Sequence, residues 1–399
     1  MKKLIAISVM IALFASTVFA ETTVAGAVET RLNVYSVVMG DHGAKYDGKF
    51  PKAQTGGSIG TAWIQLTTTN EPGSMGGTFR LRGQDIAQSD FRWHKVFVWW
   101  KPIPQLRFFL GQDADGMFER GQLTSWAFHQ GSEQYLVVHD WDFWRKIFPG
   151  NWDTFGAAFS FYVVEGLELN LVVPTGQPNG WPRHHTGALE RKSEVDNIYP
   201  GSLQLTGGYQ IGDVGKVHFA WIGSGEKYDD KTEVYGKAAL SFFSNSIAQG
   251  LSFQVGASTD IKSSDEKIVP ESAKAPISVG AAVHFSAGDL GIKWRLGTDI
   301  ATNDSGASFL TTNIMPTYKL PIGNVCLDIG FSRNVKNKDA DPEVGFWINP
   351  YLKKSINGGY FQAGIMYLNN IGGGQGGSHN VSKDDKPRLY LPILMGINF

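Results

Sequence analysis

The sequence predicts an all-β fold: a transmembrane, antiparallel, up-and-down β-barrel of about 16–18 strands. Three observations lead there. The chain opens with an export-type leader. Beyond it, successive segments alternate apolar and polar side chains with a period of two, as strands with two unlike faces do. The connections between them alternate between very short and long, which suits the two rims of a membrane barrel. After the leader no apolar run reaches the roughly 18 residues that a membrane helix needs, so a membrane could be crossed only by strands.

In the leader, Lys2 and Lys3 supply a positive start, Leu4 to Phe14 an apolar run, and Val18-Phe19-Ala20 a small-residue cleavage pattern. Residues 1–20 are therefore expected to be a cleaved signal peptide, followed by a single barrel over 21–399. The alternative for the leader is a buried amino-terminal helix. No Cys follows the apolar run, so a lipoprotein anchor is not expected. The chain has 399 residues, 48 of them Gly, and 13% are aromatic. Glycine suits crowded or bent strands, and aromatics suit bilayer interfaces. Removing Lys2 and Lys3 takes the formal charge from −1 to −3 (−1 less 2), which argues against nucleic acid as a partner. The lone Cys326 excludes an internal disulfide and reads as a small packed residue.

Alternation bounded by Gly, Pro, Asn and Asp places strands near 23–38, 57–69, 76–88, 91–101, 105–112, 153–164, 167–174, 202–211, 215–223, 233–243, 250–260, 276–286, 289–301, 308–320, 323–333, 343–353, 359–369 and 387–399. Short connections are Pro102–Pro104, Glu165-Gly166, Gly212-Asp213-Val214, Ala287-Gly288 and Pro321-Ile322; long ones are 39–56, 113–152, 175–201, 261–275 and 370–386. No internal repeat suggests a propeller.

Several strands have two clean faces. Phe79, Leu81 and Gly83 alternate with Thr78, Arg80, Arg82 and Gln84; Leu290, Ile292, Trp294 and Leu296 alternate with Gly291, Lys293, Arg295 and Gly297. In strand four, Phe91, Trp93, Phe97 and Trp99 alternate with Val96, Val98 and Trp100, so both faces are bulky. In the last segment Leu389, Leu391, Ile393, Met395 and Ile397 form one stripe and Tyr390, Leu394 and Asn398 the other, with Pro392 breaking the ladder. Periodicity alone cannot say which stripe faces inward. The leader and the unequal connections favour charges inside and apolar residues toward lipid.

The terminal run PRLYLPILMGINF, ending at Phe399, resembles the closing strand of a bacterial outer-membrane barrel. The stretch LRFFLGQDADGMFERG (Leu106–Gly121), a strand running through Gly into an acidic loop, resembles the fifth strand and third loop of the Gram-negative porins. The resemblance implies residence in the cell outer membrane among its lipid, assembly by the barrel-assembly machinery through Phe399, and a homotrimer. It also implies that loop 113–152 folds inward to constrict a pore. In that reading Asp113, Asp115 and Glu119 on the loop face Arg31, Arg80, Arg82 and Arg107 on the wall, and the transverse field ranks small hydrophilic solutes by charge and dipole. These same residues could also be ordinary solvated charges. Trp126, Trp141 and Trp144 in the loop could stack on sugar rings; the preferred reading is an interfacial girdle or a small core pinning the loop.

Catalytic and metal chemistry are not expected. Gly56-Gly57-Ser58-Ile59-Gly60 fits G-x-S-x-G by letter but no helix follows it, as a nucleophile elbow requires. His184-His185 point to opposite sides if extended, and Asp113-x-Asp115-Gly116 lacks the rest of a calcium loop. Asp339, Asp341 and Glu343 could attract divalent ions but read as a solvated loop. No cofactor is implied. The expected function is a porin for passive diffusion of small hydrophilic solutes, not an enzyme. The alternatives are a sugar- or oligosaccharide-specific porin and a plugged structural or adhesive barrel.

Overall fold

In the computed structural model the described residues are 20–40, 43–46, 60–70, 73–83, 91–113, 154–176, 203–223, 227–228, 231–232, 235–262, 277–300, 308–335, 343–369 and 387–398. They form eighteen barrel strands. In chain order these are β1 Ala20–Gly40, β2 Gly60–Asn70, β3 Met75–Gly83, β4 Phe91–Ile103, β5 Leu106–Asp113, β6 Thr154–Phe161, β7 Leu167–Gly176, β8 Gln204–Ile211 and β9 Gly215–Gly223. There follow β10 Tyr235–Ser244, β11 Leu251–Lys262, β12 Ile277–Ala287, β13 Leu290–Ile300, β14 Ser308–Leu320, β15 Gly323–Val335 and β16 Glu343–Ile356. β17 comprises Gly359–Gly364 and Met366–Asn369, interrupted at Ile365, and β18 is Arg388–Asn398. Each segment expected from alternation is found. The upper count of the expected range is the observed one.

Every strand is antiparallel to the next, and the ring closes through β1. The first half of β1 pairs with β2 from Ala20↔Asn70 to Thr30↔Gly60. Its second half pairs with β18, from Ala27↔Asn398 to Val38↔Arg388. Closure removes the unpaired edges that lipid could not hydrogen-bond. Of the expected leader only Ala20 is described, and it already belongs to β1. Phe399 lies outside the described residues.

The two rims differ as expected. One carries the tight connections 71–74, 104–105, 162–166, 212–214, 245–250, 288–289, 321–322 and 357–358; the other carries 41–59, 84–90, 114–153, 177–203, 224–234, 263–276, 301–307, 336–342 and 370–387. Gly166, Gly212, Gly288 and Gly358 take positive φ in the turns. We call the two sides the turn rim and the loop rim.

Burial decides which face is which. Leu240, Met395 and Ile397 are 59%, 59% and 62% exposed, whereas Arg295 is 2% exposed and Asp328 and Asn349 1% each. Leu394, between half-buried Ile393 and exposed Met395, is fully buried. The apolar stripe therefore points out of the barrel and the polar stripe into it, the reverse of a water-soluble protein and the arrangement that lipid requires. Near the turn rim the outer face carries exposed aromatics: Trp100, Phe161, Tyr209, Phe285 and Tyr318. Trp100 stacks on Phe108 with centroids 5.7 Å apart, and Phe108 meets Phe159 edge-on at 5.3 Å. That is an aromatic girdle at one bilayer interface.

The register corrects one expectation about strand four. Arg80 pairs with Lys95, but Leu81 pairs with Trp93, so an extra residue bulges at His94. A bulge reverses the alternation. Trp93 thus takes the register position opposite outward Leu81, while Phe97 and Trp99 belong to the inner face, where they pack on buried Phe109, Ala158 and Val172. The register positions of Trp93 and Phe97 therefore fall on opposite stripes of the strand.

Candidate functional site: the lumen wall

The polar stripes converge on the lumen wall. Between β2 and β5 it is basic. Gln65 of β2 lies opposite Arg80 of β3, which lies opposite Lys95 of β4, which lies opposite Asp113 at the end of β5. One rung nearer the loop rim, Trp63, Arg82 and Arg92 are in register. Arg80 Nε donates to Gln65 Oε1 at 2.7 Å, and its guanidinium lies 4.5 Å from the centroid of the Trp63 ring. Gln65 Nε2 in turn donates to Thr67 Oγ1 at 3.0 Å. The planar guanidinium is thus held by a hydrogen bond at its edge and a π face, which fixes its direction.

The expected site residues divide by height. Arg80, Arg82 and Asp113 lie within two rungs of one another where β5 leaves for connection 114–153. The backbone of Arg31 is opposite inward Leu394 on β18. Arg107 is elsewhere. It is the second residue of β5, opposite Ser160, to which its Nη2 donates at 3.4 Å. Six residues separate it from Asp113, about 20 Å of strand. Asp115, Glu119, Trp126, Trp141 and Trp144 lie outside the described residues, as do Ser58, His184, His185, Asp339 and Asp341. Lys95 joins the basic cluster although alternation did not single it out. The bulge at His94 hid its partnership with Arg80.

On the opposite wall the inner face carries a relay across three strands. Arg295 Nε of β13 donates to Asn313 Oδ1 of β14, and Asn313 Nδ2 donates to Asp328 Oδ1 of β15 at 2.9 Å. The amide bridges a buried cation and a buried anion and gives each one hydrogen bond. Asn349 of β16 is opposite Asp328, and neither atom of its side-chain amide has a hydrogen-bond partner. Cys326, read as packed, is buried here beside Met315 and Tyr351. A second inner cluster joins Trp347, Met366 and Leu368 with Tyr390.

Charge on the described inner face is unbalanced. By alternation Arg80, Arg82, Lys95, Arg107, Lys216, Lys293, Arg295 and Lys353 face inward. Among the described side chains the carboxylates on that stripe are Glu21 near the turn rim, Glu168, which accepts from Asn170 Nδ2 at 3.2 Å, and Asp328. No group of three or more His, Cys, Asp or Glu among the described residues is placed to hold a metal ion.

Neither a protein-family model nor a curated protein matches the sequence. Solved structures match the fold over nearly the whole chain. An anion-selective porin from Comamonas acidovorans is similar at TM-score 0.55 and 13% identity, covering 95% of this chain and 100% of that one. OccAB4 of Acinetobacter baumannii is similar at TM-score 0.53 and 7% identity, covering 95% and 98%. In its closed antiparallel barrel, apolar outside and charged inside, this eighteen-strand chain has the fold of the bacterial outer-membrane porins.

Proposed function

We propose that the protein is an outer-membrane porin that lets small hydrophilic solutes diffuse passively through a water-filled lumen, with a preference for anions. The observation that carries this reading is the inner wall: in a barrel whose apolar side chains point outward, the described lumen-facing charges are mostly Arg and Lys. Positive charge behind a low-dielectric wall concentrates anions and repels cations. Connection 114–153 is proposed as the constriction, because it leaves the wall beside Arg80, Arg82 and Lys95 and above the inner aromatic pair Phe97 and Phe109, stacked at 4.4 Å. Asp115 and Glu119 would then face these cations. A homotrimer in the outer membrane, delivered by a cleaved leader and assembled through Phe399, completes the proposal.

Planar-bilayer recording tests it. Purified folded protein is expected to give ohmic steps in potassium chloride. Under a salt gradient the reversal potential is expected to have the sign of chloride preference. Arg80→Gln with Arg82→Gln is expected to lower the chloride-to-potassium permeability ratio about twofold, on the order of 0.4 kcal/mol. Folded barrels that carry no current would reject the channel. Sugar block of that current, lost in Trp141→Ala or Trp144→Ala, would move the reading to a sugar-specific porin.

A further inference from the structure

The Arg80 guanidinium is placed by neutral residues on its β2 side. Arg80 stands in register between Gln65 of β2 and Lys95 of β4. It leans to β2: Nε donates to Gln65 Oε1 at 2.7 Å, and the guanidinium lies 4.5 Å from the ring centroid of Trp63, the diagonal neighbour. Trp63 and Gln65 have room for this, because the register positions beside them on β1 are the small Ala27 and Ala25. Gln65 is held in turn. With Oε1 accepting from Arg80, its Nε2 faces the other way and donates to Thr67 Oγ1 at 3.0 Å. Thr67 Oγ1 is 3.4 Å from Thr78 Oγ1 on β3, and one of the two hydroxyls donates to the other. Thr78 is 8% exposed, so the far end of the chain is anchored in the wall.

An Arg side chain turns about several bonds, so a guanidinium tied only at its Cα sweeps a wide arc. The bond at Nε and the ring face together select one arrangement from that arc. The arrangement has a direction. It draws the charge of Arg80 toward β2 and away from β4, where Lys95 holds the facing register position. The field in the lumen depends on where a charge stands as well as on how many charges there are. We infer that Trp63, Gln65 and Thr67, none of them charged, are positioning residues that set the ion preference of the channel through Arg80. Trp63 and Gln65 act on the guanidinium directly, and Thr67 acts through the Gln65 amide. Such positioning rests on the anion preference proposed above. It goes beyond that preference, because selectivity then depends on residues that carry no charge.

Reversal potentials of the full folded barrel in planar bilayers, under a potassium chloride gradient, test the inference with substitutions that leave the net charge alone. Gln65→Leu and Trp63→Leu are each expected to lower the chloride-to-potassium permeability ratio about 1.4-fold. Trp63→Phe, which keeps a π face, is expected to retain the ratio, and Thr67→Val to lower it as Gln65→Leu does. In an Arg80→Gln background Gln65→Leu, Trp63→Leu and Thr67→Val are expected to change nothing further, because the group they position is gone. Losses that persist in that background come from a general disturbance of the wall and overturn the inference. So does a ratio that falls in Arg80→Gln but in neither Gln65→Leu nor Trp63→Leu. Should Trp63→Leu not fold, Gln65→Leu and the nearly isosteric Thr67→Val, each with and without Arg80→Gln, still decide. An unaltered channel without chloride preference rejects the anion reading itself. Chloride preference indifferent to the neutral substitutions rejects the positioning and leaves the anion reading standing.

Discussion

Leu240 shows what one residue contributes to membrane residence. It lies mid-strand on β10, points out of the barrel and is 59% exposed, while its neighbour Ser241 faces inward and is 6% exposed. In water an exposed Leu is a small liability; in lipid it is in its proper solvent, and a charge there must be dragged from water. Leu240→Arg is expected to destabilise the folded barrel by about 2–4 kcal/mol, read as a lower urea midpoint for unfolding from bilayers. An unchanged midpoint would mean that this face does not meet hydrocarbon. Arg80 illustrates the opposite surface. Its bond to Gln65 and its stacking on Trp63 aim the guanidinium along the inner wall.

At the scale of the element, neighbouring strands fit by matching large residues against small ones. Gly330 of β15 pairs with Trp347 of β16, and the Trp347 ring lies over the place where a β-carbon at position 330 would stand. The glycine is required by close approach, since its backbone is ordinary strand. Gly330→Ala must displace the indole from its cluster with Met366 and Leu368, at a cost of about 1–3 kcal/mol. The expected readout is a lower unfolding midpoint together with changed Trp fluorescence. Fluorescence identical to that of the unaltered barrel would show that Trp347 does not rest there. Gly111 of β5 is a second case. Its φ is +131°, and a side chain there would strike the Val96 carbonyl, so the strand turns toward connection 114–153 at a position that only glycine fills without strain.

At the scale of the molecule, closure is the main device. Pairing of β1 with both β2 and β18 leaves no edge, so every strand donates and accepts around the ring. The closed cylinder then has one outer surface, and that surface is apolar with an aromatic girdle. Association of such barrels uses side-by-side contact of outer faces, and three copies are proposed. Native mass spectrometry from mild detergent is expected to give three times the mass of one chain. A single-chain mass under conditions that keep the barrel folded would exclude the trimer.

The sequence by itself determined the strands, their number to within two, the two unequal rims and the two unlike faces of β3. Those features depend on period-two alternation and on turn residues, which are local. It also placed Arg80 and Arg82 on the polar stripe. Only the tertiary structure decided which stripe faced inward, because alternation is symmetric between lumen and lipid and burial breaks that symmetry. Register likewise decided height: Arg107 shares a face with Asp113 but stands about 20 Å below it. A one-residue bulge at His94 put the register positions of Trp93 and Phe97 on different stripes and placed Lys95 opposite Arg80. The buried cluster of Met315, Cys326 and Tyr351 draws on three strands, so no local pattern could announce it. Faces are written in sequence order; neighbourhoods across strands are written only in the register of the closed sheet.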